Sequence, residues 1–237
     1  MSINCKGQLI DLTSPKVMGI LNITPDSFYD GGTYKNERDI LSQVEKMLNE
    51  GATFIDIGAY SSRPGAQHIT EDEELKRIIP VVNLILSRFP DSFLSIDTFR
   101  SEVAKQCVEA GAALINDISS GQMDDNMIKI VGELGVPYIM MHMKGTPQNM
   151  EQHTQYSDLV KDIIFFFSEK IAEARSQKIN DIIIDPGFGF SKNLEQNYEL
   201  LSKLELFNNL NFVQHHHTNS PLKQPKFVRI VAYRALS

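Results

Sequence analysis

The sequence predicts an α/β fold, a (β/α)8 barrel of the TIM type left incomplete at its C-terminus. Three observations predict it. Short apolar runs alternate with segments of helical period, which implies βαβ crossovers and a parallel sheet. Six of these runs deliver polar residues at their C-terminal ends, the face where barrel enzymes carry their active sites. No Gly-x-Gly-x-x-Gly follows any of the runs. That disfavours a doubly wound sheet, which would gather its ligand residues at one switch point.

In chain order, residues 1–14 read as a short hairpin. Strand Lys16–Leu21 then empties into Asn22-Ile-Thr-Pro-Asp-Ser-Phe28 and Asp30-Gly-Gly32, a polar loop punctuated by Pro and Gly. A helix over Glu37–Glu50 has Ile40, Leu41, Val44, Met47 and Leu48 at helical spacing and Gly51 as its stop. Strand Thr53–Gly58 feeds the loop Ser61-Ser-Arg-Pro-Gly65, and the capping box Thr70-Glu-Asp-Glu73 opens a helix to about Arg88. Strand Phe93–Asp97 is followed by a helix over Ser101–Ala110, and strand Ala113–Ile118 by a helix over Asp124–Leu134. Strand Pro137–Met143 precedes a long helix, Tyr156–Gln177. Strand Asp181–Asp185 runs into Pro186-Gly-Phe-Gly-Phe190 and a helix over Leu194–Leu206.

Six units exhaust residues 16–206, whereas a barrel of roughly 250 residues has eight. The segment from Asn208 to Pro225 is polar, and only Phe227–Ala232 beyond it has strand character. The chain is therefore divided into a barrel domain, 1–212, and an irregular tail, 213–237.

Composition narrows the function. Of 237 residues, 42% are apolar, enough for an ordinary globular core, and the net charge is −7 without a basic run, which argues against non-specific nucleic-acid binding. Cys5 and Cys107, the only cysteines, form neither a disulfide framework nor a metal cluster. No leader-like apolar stretch and no membrane-length run occurs, so a cytoplasmic protein is expected.

The strand-end residues Asn22, Ser62, Arg63, Asp97, Asn116, Asp117, His142 and Asp185 are the candidate site. Carboxylates such as Asp97 and Asp185 accept paired hydrogen bonds from an amidine-like edge, and the Asn116 amide offers both a donor and an acceptor. Together they suit a flat, N–H-rich heterocycle. Asn22 offers one oxygen to Mg²⁺, and Arg63 offers a cation to phosphate. The nearby hydroxyls, Thr98 and Ser119, have no His beside them in sequence, so this set contains no nucleophile–base pair. His142 fits a general base or a hydrogen-bonded core residue, and Met141 fits core packing or ligand contact. His215-His-His217 reads as a solvated stretch, and Ile163-Ile-Phe-Phe-Phe167 as a helix buried against the barrel with a face left for a partner.

The motifs Asn22-Ile-Thr-Pro-Asp-Ser-Phe28, Ser61-Ser-Arg-Pro-Gly65, Ser95-Ile-Asp-Thr98, Ile115-Asn-Asp117, Met141-His-Met143 and Asp185-Pro-Gly-Phe-Gly-Phe190 occur in this order and spacing. Over about residues 7–207 the chain resembles the dihydropteroate synthases, the sulfonamide targets of folate synthesis. The resemblance implies a Mg²⁺-dependent transferase that condenses 6-hydroxymethyl-7,8-dihydropterin diphosphate with 4-aminobenzoate, in a homodimer. It implies that Asp97, Asn116 and Asp185 hold the pterin with Met141 packed against it, and that Asn22 serves the Mg²⁺–diphosphate site. Ser62 and Arg63 would lie over the diphosphate and aminobenzoate, with Phe28, Pro64 and Phe190 walling the aminobenzoate pocket. Asp97, Asp185 and Arg63 would be the catalytic residues.

That family carries a seventh strand with Ser-Arg-Lys-Ser and an eighth ending in Arg-x-His. Neither motif occurs here, and Phe212-Val213 reads as the junction of an internal deletion. Two other readings compete with the synthase. One is a pterin-binding remnant impaired in catalysis; the other is a pterin domain of the methyltransferase type.

Overall fold

A computed structural model describes residues 2–23, 29–30, 33–34, 37–62, 68–212 and 230–233. The chain opens with an antiparallel hairpin, β1 (Ser2–Cys5) and β2 (Gln8–Asp11). Its two-residue turn, Lys6-Gly7, has φ of 53° and 81°, the doubly positive geometry whose twist matches a tight hairpin. Then come β3 (Lys16–Asn22), a small hairpin of β4 (Tyr29–Asp30) and β5 (Thr33–Tyr34), α1 (Glu37–Asn49) and β6 (Ala52–Gly58). They are followed by α2 (Glu71–Arg88), β7 (Phe93–Asp97), α3 (Ser101–Glu109), β8 (Leu114–Asp117) and α4 (Met127–Leu134). The series continues with β9 (Tyr138–Met141), α5 (Leu159–Ser176), β10 (Ile182–Asp185) and α6 (Leu194–Ser202), and a 3₁₀ turn over Leu204–Phe212 follows.

The strands β3, β6, β7, β8, β9 and β10 pair in sequence order, all parallel, as βαβ units stacked in series must. Both faces of the sheet are covered, and side-chain alternation assigns them. Leu21, Ile55, Ile57, Leu94, Ile96, Ile115, Met140, Ile182 and Ile184 face the helices, against Ile40, Val44, Ile78, Val82, Val103, Val131, Ile163 and Phe167. The opposite face carries Met18, Phe54, Leu114, Ile139 and Ile183, closed by Ile3, Cys5 and Leu12 from the N-terminal hairpin. That hairpin is also tied across the barrel floor, where Asn4 N–H donates to Asp181 Oδ2 at 2.8 Å. With the floor filled by apolar side chains, the polar groups of this inward face among the described residues gather toward the C-terminal ends of the strands.

The predicted incomplete barrel is what the structure has, with one addition. β11 (Ile230–Tyr233) pairs parallel with β3, in register Val231↔Val17, and takes the outer edge of the sheet. It falls where Phe227–Ala232 was expected to have strand character, inside the segment read as irregular. An unpaired β3 edge is a liability that any strand-forming segment within reach relieves.

Element boundaries differ where caps override periodicity. The helix expected from Tyr156 starts at Leu159, because the Asp158 carboxylate accepts from Lys161 N and sets the N-cap. The helix expected to run to Leu206 ends at Ser202 and tightens into the 3₁₀ turn. The predicted Thr70 capping of α2 is present, with Thr70 Oγ1 accepting from Glu73 N at 3.2 Å.

Candidate functional site at the carboxyl ends of the parallel strands

Register brings the site together. Asn22 ends β3 opposite Gly58, Gly58 lies opposite Asp97, and Asp97 lies opposite Asn116. These four positions form one inward layer across four adjacent strands. The absent side chain at Gly58 makes room for the others: a Cβ there would sit 3.0 Å from Asp97 Oδ2 and 3.4 Å from Asn22 Oδ1. Asn22 and Asp97 therefore converge over one gap in the sheet. Burial pushes the Asp97 carboxyl well above the usual carboxylate range, and the charges of Asp56, Glu74 and Asp117 push it further.

Asp185 ends β10 one layer higher, paired with Met141. Its Oδ1 accepts from Gly187 N at 2.8 Å. Burial raises its carboxyl, while the Gly187 N–H and the Lys192 charge pull it back. Gly187 has φ of +74°, and a Cβ on it would meet the His142 carbonyl oxygen at 2.1 Å, so the turn that orients Asp185 requires glycine. Met141 packs with Tyr60, Phe99, Ile118, Met143 and Met150, and Phe190 lies half-buried against the same cluster. Ser62 is half-buried in the loop after β6. Phe28, Arg63 and Pro64 lie outside the described residues, as do His215–His217.

Two of the strand-end candidates turn away from this layer. Asp117 faces the helix side and is consumed there: it accepts from Ser119 N and Oγ, Gly121 N and Tyr138 Oη at 2.6–2.7 Å, which staples the loop after β8. His142 is 2% exposed, edge-on to Phe166 at 4.9 Å, with its Nδ1 3.1 Å from Lys192 Nζ. It is the hydrogen-bonded core residue of the two alternatives, and burial with the neighbouring lysines lowers it to about 3.

Sequence reading missed Asp56 and Lys192. Asp56 interrupts the apolar run of β6, and a carboxylate in the middle of a strand covered on both faces was the available signal. Lys192 Nζ donates to the carbonyls of Gly187 and Phe190 at 2.9 Å each, pinning the loop that carries Asp185 and Phe190. Burial lowers this lysine to about 7. No periodicity marks it.

His142 gives the fold a defined acid sensitivity. Its folded value of about 3 lies below the ordinary 6.5, so between these pH values the unfolded chain binds the extra proton, and stability falls as pH drops through 6.5. Urea unfolding at pH 7 and pH 5 is expected to show the unmodified protein losing stability relative to His142→Gln, at a slope approaching about 1.4 kcal/mol per pH unit.

The geometry defines an α/β barrel-type protein that carries carboxylates and amides on the inward face at the carboxyl ends of its parallel strands. A profile of the family described as pterin binding enzyme matches residues 18–218. Dihydropteroate synthase of Escherichia coli K12 is 42% identical over 224 residues, covering 94% of this chain and 76% of that protein. The Haemophilus influenzae dihydropteroate synthase is 41% identical over 209 residues, 87% of this chain and 75% of the other. Among solved structures, Yersinia pestis dihydropteroate synthase in a sulfonamide drug complex superposes with a TM-score of 0.81 at 44% identity, covering 89% of this chain and 76% of that one. The Thermus thermophilus dihydropteroate synthase in complex with 4-aminobenzoate gives 0.76 at 33% identity, covering 87% and 74%. The chain belongs to the pterin-binding enzyme family and groups there with the dihydropteroate synthases. It spans about three quarters of their length. Among the described residues no helix is long and apolar enough to cross a membrane.

Proposed function

We propose that this chain is a dihydropteroate synthase, joining 6-hydroxymethyl-7,8-dihydropterin diphosphate to 4-aminobenzoate with release of diphosphate. The observation that carries the reading is the placement of Asp97, Asn116 and Asp185 on one face at the carboxyl ends of a sheet whose floor is filled. The three hold the pterin ring by its N–H edge, and Met141 lies against its face. Phe190, with Phe28 and Pro64, walls the aminobenzoate, and Ser62 and Arg63 serve the diphosphate and the incoming amine.

Departure of diphosphate leaves positive charge on the pterin methylene. Asp97 and Asp185 favour that charge by Coulomb attraction, while Arg63 favours the departing anion. The amine nitrogen then attacks the methylene carbon, a C–N bond replaces the C–O bond, and the amine proton is lost.

Among the described residues no cluster of three or more His, Cys, Asp or Glu side chains could hold a metal. Asn22 fits Mg²⁺ all the same, since that ion keeps most of its waters and takes other ligands from substrate phosphate. When bound, Mg²⁺ neutralises charge on the leaving diphosphate. A homodimer is supported by the apolar row Leu194, Tyr198 and Leu201 on α6, each more than half exposed at one-turn spacing. A cytoplasmic setting suits a chain with two cysteines, both buried.

The test is product formation from both substrates with Mg²⁺, repeated with EDTA. The proposal expects dihydropteroate that EDTA abolishes. No product from a folded protein that still binds pterin would favour the second reading, a pterin-binding remnant. That reading is supported by the absence of Ser-Arg-Lys-Ser and Arg-x-His after residue 207.

A further inference from the structure

Directly beneath the Asn22–Gly58–Asp97–Asn116 layer lies a polar pair that the reaction does not use. Asp56 sits two residues before Gly58 on the same face of β6, opposite Ser95 on β7 and Ile20 on β3. Asp56 is 5% exposed and Ser95 fully buried. Asn116 Nδ2 donates to Asp56 Oδ2 at 3.0 Å. Asp56 Oδ1 and Ser95 Oγ are the buried side-chain polar atoms left without a partner among the described residues. A half-satisfied carboxylate inside a barrel costs stability, and an aliphatic side chain like that of Ile20 next to it would serve the fold better. Such a cost kept at the edge of a ligand site points to a role in the site.

An amide has a donor end and an acceptor end, and turning it over exchanges them. Asn116 is turned by its partner below. With Nδ2 committed to Asp56 Oδ2, the carbonyl end is the one left for a ligand. Asp97 and Asp185 flank it, and in their ionised form all three groups facing the ring accept hydrogen bonds. We propose that Asp56 is a positioning residue that fixes the orientation of Asn116, and through it selects heterocycles whose edge carries N–H donors, such as a 2-amino ring, over 2-oxo analogues. The inference rests on the pterin-binding reading and deepens it.

A site built to accept from N–H groups rejects an analogue that puts a carbonyl there, because buried acceptors then face one another. The experiment compares binding of 6-hydroxymethylpterin with that of its 2-oxo analogue, 6-hydroxymethyllumazine, by calorimetry. It uses the unmodified protein, Asp56→Asn and Asp56→Leu, with thermal melting of each. The Asn side chain can donate to the Asn116 carbonyl and let the amide turn over, and the Leu side chain holds neither end. The expected result is preference for the pterin in the unmodified protein, lowered about 10-fold or more in both variants, with melting temperatures unchanged or raised. Equal preference in all three proteins overturns the inference and leaves the functional reading standing. A fall in melting temperature without change in preference overturns it too, as the mark of a structural role. Failure of the unmodified protein to bind either ring overturns the functional reading, and the inference with it.

Discussion

Replacing Asp185 by Asn is expected to weaken pterin binding by about 10²-fold, the loss that follows when a buried charge-assisted acceptor is replaced by a neutral group. The Asp185 carboxylate is held by the Gly187 N–H at 2.8 Å, and burial makes its charge expensive in the empty protein. A ligand that brings N–H donors, and positive charge as its C–O bond ionises, offsets that expense. Asn keeps the size and an acceptor for Gly187 but turns an NH₂ toward donors. The free protein should melt at the same temperature or higher, since a strained charge has gone. Calorimetric titration with 6-hydroxymethylpterin beside a thermal melt separates the two effects. Unchanged affinity would remove Asp185 from the site.

The second large effect concerns the scaffold behind Asp97. Glu74, fully buried on α2, accepts from Thr98 Oγ1 at 2.7 Å and pairs with Arg100, which also donates to the Ile69 carbonyl and lies over the rings of Tyr60 and Phe99. The cluster ties α2 to the two residues that flank Phe99, immediately after the Asp97 strand end. Glu74→Ala strands a guanidinium that is 8% exposed, and breaking one side of a buried pair costs about 3–5 kcal/mol. The melting temperature should fall by on the order of 10 °C. Glu74→Gln should cost less, since it keeps an acceptor for Thr98. A fall of under about 1 kcal/mol for Glu74→Ala would place the pair among weak surface bridges.

Much of this was legible in the sequence, for physical reasons. Strands with periodic helices between them leave few topologies, and the polar residues that end Lys16–Asn22, Phe93–Asp97, Leu114–Asp117 and Ile182–Asp185 marked the candidate ligand face. Which polar residue turns inward was not legible between neighbours. Asn116 and Asp117 are adjacent, and a shift of one residue exchanges their faces. Only the pairing of Asp97 with Asn116 assigns them. Asp56 escaped because its value depends on the amide it touches sixty residues away. Lys192 escaped because its partners are three carbonyls and a ring nitrogen, none of which a side-chain pattern encodes. The strand Ile230–Tyr233 was legible as β-prone, but its seat beside β3 follows from the sheet edge.

The central claim is that the ends of β7, β8 and β10 assemble a pterin site from Asp97, Asn116 and Asp185. A crystal structure of the protein with 6-hydroxymethylpterin tests it most directly. The account predicts the ring in the gap over Gly58, its N–H edge on Asp97, the Asn116 carbonyl and Asp185, and its face against Met141. A ring bound elsewhere, or lying there with none of these three within hydrogen-bond distance, would contradict it.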